Sequence, residues 1–352
     1  MKDIFKVVFV IIGTLIGAGF ASGQEIYTFF YSYGINGLYG ILICSIFTGI
    51  VIYKVFKIIN ENKISTYHDL LEIFTKSKST SNKKYNEQKQ KYINFTFITS
   101  TIINIFLLIT FFIMIAGFGA YFEQELGISS LIGCGILAFL CFIIFMTSVK
   151  GVVKANELLV PILIIFIIVI GIINFNSIDV ENSKDCIIQT KFDSWILSSI
   201  VYCSYNSILL IPVLITLKDL IKNNKEIKTI STISGILIFI LSIIIYYLLM
   251  KVDIDIKILE MPVIYVIGKF YPILKNIYGF IILASIFTTS ISIGVSFLQN
   301  TARNKKSYTQ IAIVMCITSI IISKIGFSNL VNLLYPIFGY LGLIQIGLIL
   351  IK

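Results

Sequence analysis

Ten apolar segments, each long enough to cross a lipid bilayer, follow one another along the chain and leave room for little else. A membrane helix needs roughly 20 mainly apolar residues, and lipid offers backbone polar groups no partner, so such segments must be helical. With 57% hydrophobic and 13% charged residues, the chain is no ordinary soluble domain. The predicted spans are Ile4–Tyr31, Gly37–Ile59, Ile93–Phe122, Ser129–Ser148, Val152–Phe175, Trp195–Leu217, Thr229–Met250, Tyr278–Leu298, Gln310–Ile325 and Leu330–Ile351.

The basic residues predict which side of the membrane each connection faces. Lysine and arginine concentrate in cytoplasmic loops, and placing both termini inside puts roughly three quarters of these residues on that side. The opposite side carries acids such as Asp179 and Glu181. We therefore predict a multi-pass protein of the cell (cytoplasmic) membrane with both termini cytoplasmic. The net charge of +10 is then a topology signal and gives no support to nucleic-acid binding.

The first span carries a glycine-rich run, from Gly13 to Glu25, that lipid burial alone does not require. Each glycine costs a helix roughly 0.5–1 kcal/mol relative to alanine. One explanation is helix packing, because the run contains two GxxxG spacings. However, Gly17 and Gly19 lie about 200° apart on a helix and cannot share one seam. We favour a discontinuous helix whose free backbone groups meet a solute or an ion.

A helix start within the span supports that interpretation. Ser22-Gly23-Gln24-Glu25 has the S-x-x-E pattern of a capping box, in which the glutamate side chain reaches back to the backbone N–H of the serine. We therefore predict that a new helix begins at Ser22.

The sixth span resembles the first in having a polar cluster at its centre. The cluster runs from Tyr202 to Ser207, with Pro212 beyond it, and predicts a second break near Cys203–Asn206. Packing remains an alternative for this span. Spans one and six are five apart, so two repeats, at about 1–175 and 194–352, would run inverted to each other within a single transmembrane domain.

Two further stretches carry predictions. Residues 75–92 are rich in lysine, serine and asparagine, and we predict a disordered cytoplasmic loop there. In span eight, Ser285, Thr288 and Ser292 fall on one helix face, where hydroxyl oxygens suit a small hard cation. The alternative is that each hydroxyl bonds only a carbonyl of its own helix.

Catalytic chemistry has little support in this sequence. There is one histidine, and the six cysteines show neither a C-x-x-C pair nor metal-ligand spacing. We predict no enzyme activity, no metal centre and no cofactor apart from Na+ or H+ as a coupling ion. The predicted partners are the lipid bilayer and a small solute, and the oligomeric state is left open.

The run from Gly13 to Glu25 resembles the opening signature of the YkvI-type bacterial membrane proteins. That family resembles the amino acid–polyamine–organocation transporters, which share the LeuT-type five-plus-five inverted repeat with broken helices 1 and 6. The likeness extends over the chain in span count, but only the first-span motif is specific. The resemblance implies an all-α transporter fold. It indicates the architecture more strongly than it indicates the substrate.

The resemblance also implies two groups of site residues. In amino-acid carriers of this type, the unwound first helix holds a substrate carboxylate. Glu25 is not a general feature of such carriers, and it either meets a substrate ammonium, carries a proton or only closes its capping box. The implied substrate site is Gly17, Ala18, Gly19, Ser22, Glu25, Ser204, Tyr205 and Asn206. The implied cation site is Gly13, Ile16, Ser285, Thr288 and Thr289, with Ile286, Thr289 and Ser290 as the register one residue later.

Three functions are compatible with these features. The first is a secondary active transporter for a small amino-acid-like solute, coupled to H+ or Na+. The second is a solute-sensing receptor on the same fold, like the membrane subunit of spore germinant receptors, although the Gly17–Glu25 signature argues against it. The third is a channel or structural membrane protein in which the glycines only pack.

Overall fold

The structure is a computed structural model that describes residues 2–64, 66–67, 69–70, 73, 82–175, 190, 192–252, 259 and 261–351. Within these residues the chain is helical and forms no strand. The first span consists of three short helices, α1 (Lys2–Leu15), α2 (Ala18–Ser22) and α3 (Gln24–Phe29). Ile16 and Gly17 separate the first two helices, and Gly23 separates the second from the third. The interruptions fall within the glycine-rich run.

Most of the remaining helices are longer, and several have ordinary start signals. Asn223 and Asn304 cap their helices by accepting hydrogen bonds from backbone N–H groups, and Pro262 and Pro272 occupy first helical positions. The helices are α4 (Ile35–Asn62), α5 (Asn82–Leu126), α6 (Ser130–Phe175), α7 (Trp195–Thr216), α8 (Asn224–Leu249), α9 (Pro262–Phe270), α10 (Pro272–Thr301), α11 (Lys305–Ile322) and α12 (Phe327–Ile351).

Nine stretches of the described helices are long and apolar enough to cross a membrane. Two of them, Ser130–Thr147 and Val149–Ile173, lie in α6. This helix is continuous where a short connection between spans four and five was predicted. The predicted first span is absent from the nine because each of its three helices is too short. The fold is therefore an all-α membrane fold, and the count of ten remains a prediction.

Two helices form the centre of the bundle. The apolar stretches of α7 and α10 are each 89% buried, whereas that of α11 is only 28% buried. α1 packs against α6, α8 and α10, and α12 packs against α7. Because α2 also contacts α10, the interrupted first span lies directly against the central helices.

The break predicted in span six is wrong. α7 is one continuous helix from Trp195 to Thr216, with Pro212 in its last turns. Ser204, Asn206 and Ser207 each donate a side-chain hydrogen bond to the carbonyl four residues earlier, at 2.7, 3.0 and 2.7 Å. The polar groups are thus accommodated on an intact helix, which is the usual outcome for small polar side chains in a membrane helix.

The predicted disordered loop is described only in part. Residues 75–81 lie outside the described residues, as does most of the acidic outer loop. From Asn82 onward the structure has helix α5, so residues 82–92 are helical where disorder was predicted.

Candidate functional site

The two interruptions of the first span have different local causes. Gly23 has φ +91°, in the left-handed region that favours glycine, and an added Cβ would lie 2.7 Å from Val263 Cγ2. Gly17 is extended instead, and its backbone comes close to span eight. A Cβ there would lie 3.1 Å from Met114 Sδ and 3.2 Å from Thr289 Oγ1. Glycine thus permits a turn at one position and a close approach at the other.

The carboxylate of Glu25 lies at the contact between span one and span six. Glu25 is 2% exposed, and its Oε2 accepts hydrogen bonds from the hydroxyls of Tyr202, at 3.2 Å, and Tyr205. The other end of the carboxylate packs over Gly19, where an added Cβ would lie 2.7 Å from Glu25 Cγ. A buried charge in a membrane helix costs about 2.5–3.5 kcal/mol on insertion scales, so this side chain needs the donors that α7 supplies.

The capping-box prediction is therefore wrong. The helix that carries Glu25 begins at Gln24, with Gly23 as its N-cap and no side-chain cap. Ser22 Oγ donates to the Gly19 carbonyl at 3.2 Å and accepts a long bond, 3.4 Å, from the Gln24 backbone N–H. Glu25 turns toward the tyrosines, which offer two hydroxyl donors to its charge, whereas the capping box would offer one backbone N–H.

Aromatic rings enclose this carboxylate. Tyr202 and Tyr205 meet edge to face with their centroids 5.3 Å apart, and Phe29 lies 5.1 Å from the first of these rings. Tyr335 of α12 stacks on Tyr205 at 4.7 Å. Spans one, six and ten thus form an aromatic cluster, defined as Phe29, Tyr202, Tyr205 and Tyr335, around one acidic side chain.

The remaining predicted substrate residues on span six differ in whether a side-chain polar atom is left without a hydrogen-bond partner. The Ser204 hydroxyl is engaged with the carbonyl of Ile200. Asn206 is buried, and its amide nitrogen bonds the Tyr202 carbonyl, but its Oδ1 has no hydrogen-bond partner among the described residues. Ala18 and Gly19 are buried in α2.

A second polar cluster lies where span one meets span eight. Thr289 Oγ1 donates to the backbone carbonyl of Gly13 at 2.8 Å. Gly13 lies in the last turn of α1, just before the interruption. Gly17 lies against the same threonine side chain. The structure therefore brings Gly13, Gly17 and Thr289 together.

Other predicted cation residues point elsewhere. Ser285 and Thr288 donate within α10, to the carbonyls of Ile282 and Ser285 at 2.8 and 3.0 Å. Ser290 likewise donates to the Ile286 carbonyl at 2.7 Å. Ile16 is buried at the interruption itself. Two hydroxyls of span eight do reach the first span: that of Thr289, which donates to the Gly13 carbonyl, and that of Tyr278, which donates to the Ala21 carbonyl at 2.7 Å.

Asn156 is a third buried polar side chain at this contact. Its amide nitrogen donates to the Val152 carbonyl at 2.9 Å and lies 3.5 Å from Ser292 Oγ. Its Oδ1 has no partner among the described residues and faces Gly13, where an added Cβ would clash with it. Gly13 thus has Thr289 Oγ1 at its carbonyl and Asn156 Oδ1 beside its Cα, and we refer to Gly13 O, Thr289 Oγ1 and Asn156 Oδ1 as the oxygen cluster.

Sequence reasoning did not assign a site role to Tyr202 or Asn156. Tyr202 stood in the polar run of span six, but nothing local indicates that its hydroxyl reaches a carboxylate 177 residues earlier. The signal for Asn156 was present, since an amide in an apolar span needs a partner.

Solved structures with the same fold are transporters. The fold is similar to that of a Na+-coupled sialic acid symporter in a substrate-bound outward-open state, with a TM-score of 0.65 and 14% identity over 98% of this chain and 78% of that one. It is also similar to Mhp1, a nucleobase-cation-symport-1 family transporter, with a TM-score of 0.59 and 10% identity over 90% and 70% of the two chains. The predicted LeuT-type fold is thus confirmed.

Sequence relatives extend over the full chain. No protein-family model matches it. It is 25% identical over 342 residues to the uncharacterized protein YyaD of Bacillus subtilis (strain 168), covering 96% of this chain and 93% of that protein. It is 31% identical over 353 residues to the uncharacterized membrane protein YkvI of the same organism, covering 99% and 95%. The resemblance carried by the glycine-rich run is confirmed, and the chain belongs to the YkvI family of membrane proteins.

Proposed function

We propose that this chain is a secondary active transporter that moves a small amino-acid-like solute across the cell membrane, coupled to Na+ or H+. The observation that carries the proposal is the interrupted first span, whose flanks meet a carboxylate–tyrosine cluster on one side and an oxygen cluster on the other. Broken helices with polar groups at membrane depth are typical of transporter binding sites. The Na+-coupled transport named for one protein of the same fold supports this proposal.

The solute would bind between spans one and six. Backbone groups freed around Gly17 offer hydrogen bonds, and Glu25 offers a negative charge beside the tyrosine hydroxyls. Ser22 borders the second interruption at Gly23, Tyr205 reaches Glu25 from span six, and Asn206 follows Tyr205 on the same helix. These groups can hold a small zwitterion, because they combine donors at the break with acceptors on the side chains.

The coupling cation would bind at the oxygen cluster. In this structure the Thr289 hydroxyl satisfies the Gly13 carbonyl with a hydrogen bond. A cation between the two oxygens would replace that bond, with the hydroxyl proton turned away and Asn156 Oδ1 as a further ligand. Cation binding would thereby hold the end of α1 against span eight and favour one arrangement of the first span, which links the ion to the solute site.

Uptake into proteoliposomes tests the proposal. Purified full-length protein would be reconstituted and offered radiolabelled amino acids under an inward Na+ gradient and, separately, an inward H+ gradient. We expect uptake above the level of protein-free liposomes, driven by one of the gradients. Solute binding without any gradient-driven uptake would contradict the proposal and favour the receptor function.

A further inference from the structure

A cavity of about 330 Å³ lies where the end of α4 meets the connection that follows α7. α4 ends at Asn62, and the connection contains a single 3₁₀ turn, Lys218–Leu220. Lys222, two residues beyond this turn, pairs with Asp3 near the start of α1 at 3.4 Å. The cavity therefore lies at the same end of the bundle as the N-terminus, which the basic residues predict to be cytoplasmic. Its volume is within the range of small-ligand pockets.

The wall of this cavity is apolar on the inside and polar at the rim. The inner wall includes three side chains that are at most 3% exposed, Phe56, Ile59 and Ile64. The rim carries four exposed or half-buried polar side chains, Asn60, Lys63, Lys218 and Asp219. Two positive charges against one negative charge leave the rim basic. This combination suits a ligand that has an anionic head and an apolar portion.

The backbone of Lys63 indicates that its side chain is needed at the rim. Lys63 has φ +52° and is the only non-glycine residue with a positive φ among the described residues. Its N–H and that of Ile64 both reach the Ile59 carbonyl, at a helix end where glycine is the common residue. Lysine is strained in this left-handed conformation, and such strain concentrates at functional sites. The chain thus places a lysine where glycine would be more stable.

Both rim lysines have N–H groups available to a ligand. Lys218 Nζ donates to the Ile64 carbonyl at 3.3 Å, which holds the ammonium at the cavity and leaves two of its three N–H groups. Within the described part of the chain, neither lysine forms an ion pair, with Asp219 or with any other acid. Ammonium groups bind phosphate oxygens as point charges. Two of them at one cavity therefore favour a phosphate over a neutral head group.

The exposed face of α4 indicates how an apolar portion would reach this rim. Ile46 and Ile50 are 56% and 40% exposed, so this part of α4 is open to lipid. Asn60 lies about 40° from Ile46 around the helix, and the rim therefore continues the same face. Asn60 also lies about 15 Å from Ile50 along the axis, which is roughly half the thickness of the hydrocarbon core. A lipid chain along this face would place its head group at the rim.

We propose that this cavity binds the phosphate head group of an anionic phospholipid from the inner leaflet. Lys63 and Lys218 bind the phosphate, and the glycerol backbone of the lipid rests on the apolar inner wall. Basic pockets at the cytoplasmic ends of membrane helices bind anionic head groups in this way. The bound lipid bridges the end of α4 and the turn after α7. This inference does not depend on the proposed transport.

Thermal unfolding of the full-length protein in detergent tests the proposal. The protein would be titrated with dioleoyl phosphatidylglycerol, with dioleoyl phosphatidylcholine and with glycerol 3-phosphate, all at one ionic strength. The first probe has the anionic head and the chains, the second has the chains without net charge, and the third has the phosphate without chains. We expect phosphatidylglycerol to raise the unfolding temperature in a saturable way, at concentrations about tenfold or more below those of the other two.

Charge variants assign the binding to the rim. Lys63→Gln combined with Lys218→Gln should weaken the response about tenfold or more, since each lysine near an anionic lipid contributes about fivefold in affinity. Lys225→Gln combined with Lys228→Gln removes two exposed lysines of α8 that do not line the cavity, and it should respond like the wild type. Asp219→Asn removes the negative charge of the rim and should bind phosphatidylglycerol more tightly.

Lys63→Gly is a variant in which stability and binding should move in opposite directions. Glycine adopts the left-handed conformation without strain, so in the absence of lipid the unfolding temperature should equal or exceed that of the wild type. Its response to phosphatidylglycerol should nevertheless be about fivefold weaker. This variant keeps the inference testable if the double lysine variant does not fold.

The inference is overturned if phosphatidylglycerol has no effect, or if phosphatidylcholine stabilises the protein equally and only the chains matter. Equal potency of glycerol 3-phosphate would also overturn it, because the ligand would then be a soluble phosphate ester. So would a wild-type response of the double lysine variant, or weaker binding by Asp219→Asn. Solute uptake is not measured here, so the transport proposal stands or fails separately.

Discussion

At the scale of single residues, the position of Glu25 depends on what surrounds it. Two tyrosine hydroxyls from α7 hold one carboxylate oxygen, and the absence of a side chain at Gly19 makes room for the rest of the group. The local S-x-x-E pattern would satisfy a backbone N–H, but the tyrosines offer two donors to the same charge. The glycine at position 19 is thus matched to the glutamate six residues later.

Gly19→Ala should displace this carboxylate without unfolding the protein. The atoms that an added Cβ would meet belong to the flexible Glu25 side chain, so the chain can adjust, and alanine favours a helix by roughly 0.5–1 kcal/mol. We expect an unfolding temperature close to that of the wild type and solute uptake reduced about tenfold. Gly347→Ala, where an added Cβ meets nothing within 4 Å, is the control. Normal uptake by Gly19→Ala would show that the carboxylate position is unimportant.

Asn156 gives a second test at this scale. Its unpartnered Oδ1 is unfavourable in a buried site, so Asn156→Leu should leave stability unchanged or raise it by about 1 kcal/mol. If that oxygen is a cation ligand, the same variant should lose the stabilisation that Na+ confers relative to K+ at equal ionic strength. The measurement is thermal unfolding in the two salts, and an undiminished response to Na+ would reduce Asn156 to a packing residue.

At the scale of elements, the interruptions on either side of α2 allow the first span to present both its flanks. α1 ends with a carbonyl directed at span eight, whereas α3 begins with a carboxylate directed at span six. In a continuous helix, the relative directions of these two groups would be fixed by the helical rotation about one axis. The five-residue α2 between two glycine positions permits each flank its own orientation.

Gly23→Ala should disrupt this arrangement. The residue has φ +91°, and a side chain there costs roughly 1–2 kcal/mol in backbone strain before its contact with Val263 is counted. We expect a lower unfolding temperature in detergent. Gly135→Ala, a helical glycine with nothing within 4 Å of an added Cβ, should be neutral or stabilising. Equal stabilities of the two variants would contradict the left-handed turn.

The sequence allowed the helices to be predicted well and the contacts between them poorly. Long apolar runs locate α4, α7 and α10 to within several residues, because lipid imposes a minimum length on every span. A polar cluster in such a run has two outcomes, unwinding or hydrogen bonds within the helix, and the first was wrongly predicted for α7. The choice depends on neighbouring helices, as does the partner of Glu25.

At the scale of the whole molecule, the buried polar clusters lie where the first span meets the central helices. α7 and α10 are nearly enclosed, and the other helices cover them against lipid. Every polar cluster described above lies on a surface shared by the first span and one of these central or adjoining helices. The bundle thus isolates the polar groups from lipid while leaving their geometry dependent on one interrupted span.

Topology provides a prediction at this scale. The bias of basic residues predicts that both termini lie in the cytoplasm. A C-terminal fusion to green fluorescent protein should therefore fluoresce, and a fusion of alkaline phosphatase at the same point should be inactive. The opposite pattern would reverse the orientation of every span and move Glu25 to the cytoplasmic half of the membrane.

The central claim is that the contact between Gly13 and Thr289 is where the driving cation binds. The most direct measurement is the initial rate of solute uptake into proteoliposomes as a function of Na+ concentration at constant pH, for the wild type, Thr289→Ala, Thr288→Ala and Thr110→Ala. The Thr288 and Thr110 hydroxyls bond carbonyls of their own helices. We predict that the wild type and these two variants share one Na+ dependence and that Thr289→Ala needs about tenfold more Na+ or loses the dependence. An unchanged Na+ dependence in Thr289→Ala, or none in the wild type, would contradict this cation site, and uptake driven by H+ alone would leave the transport proposal standing without it.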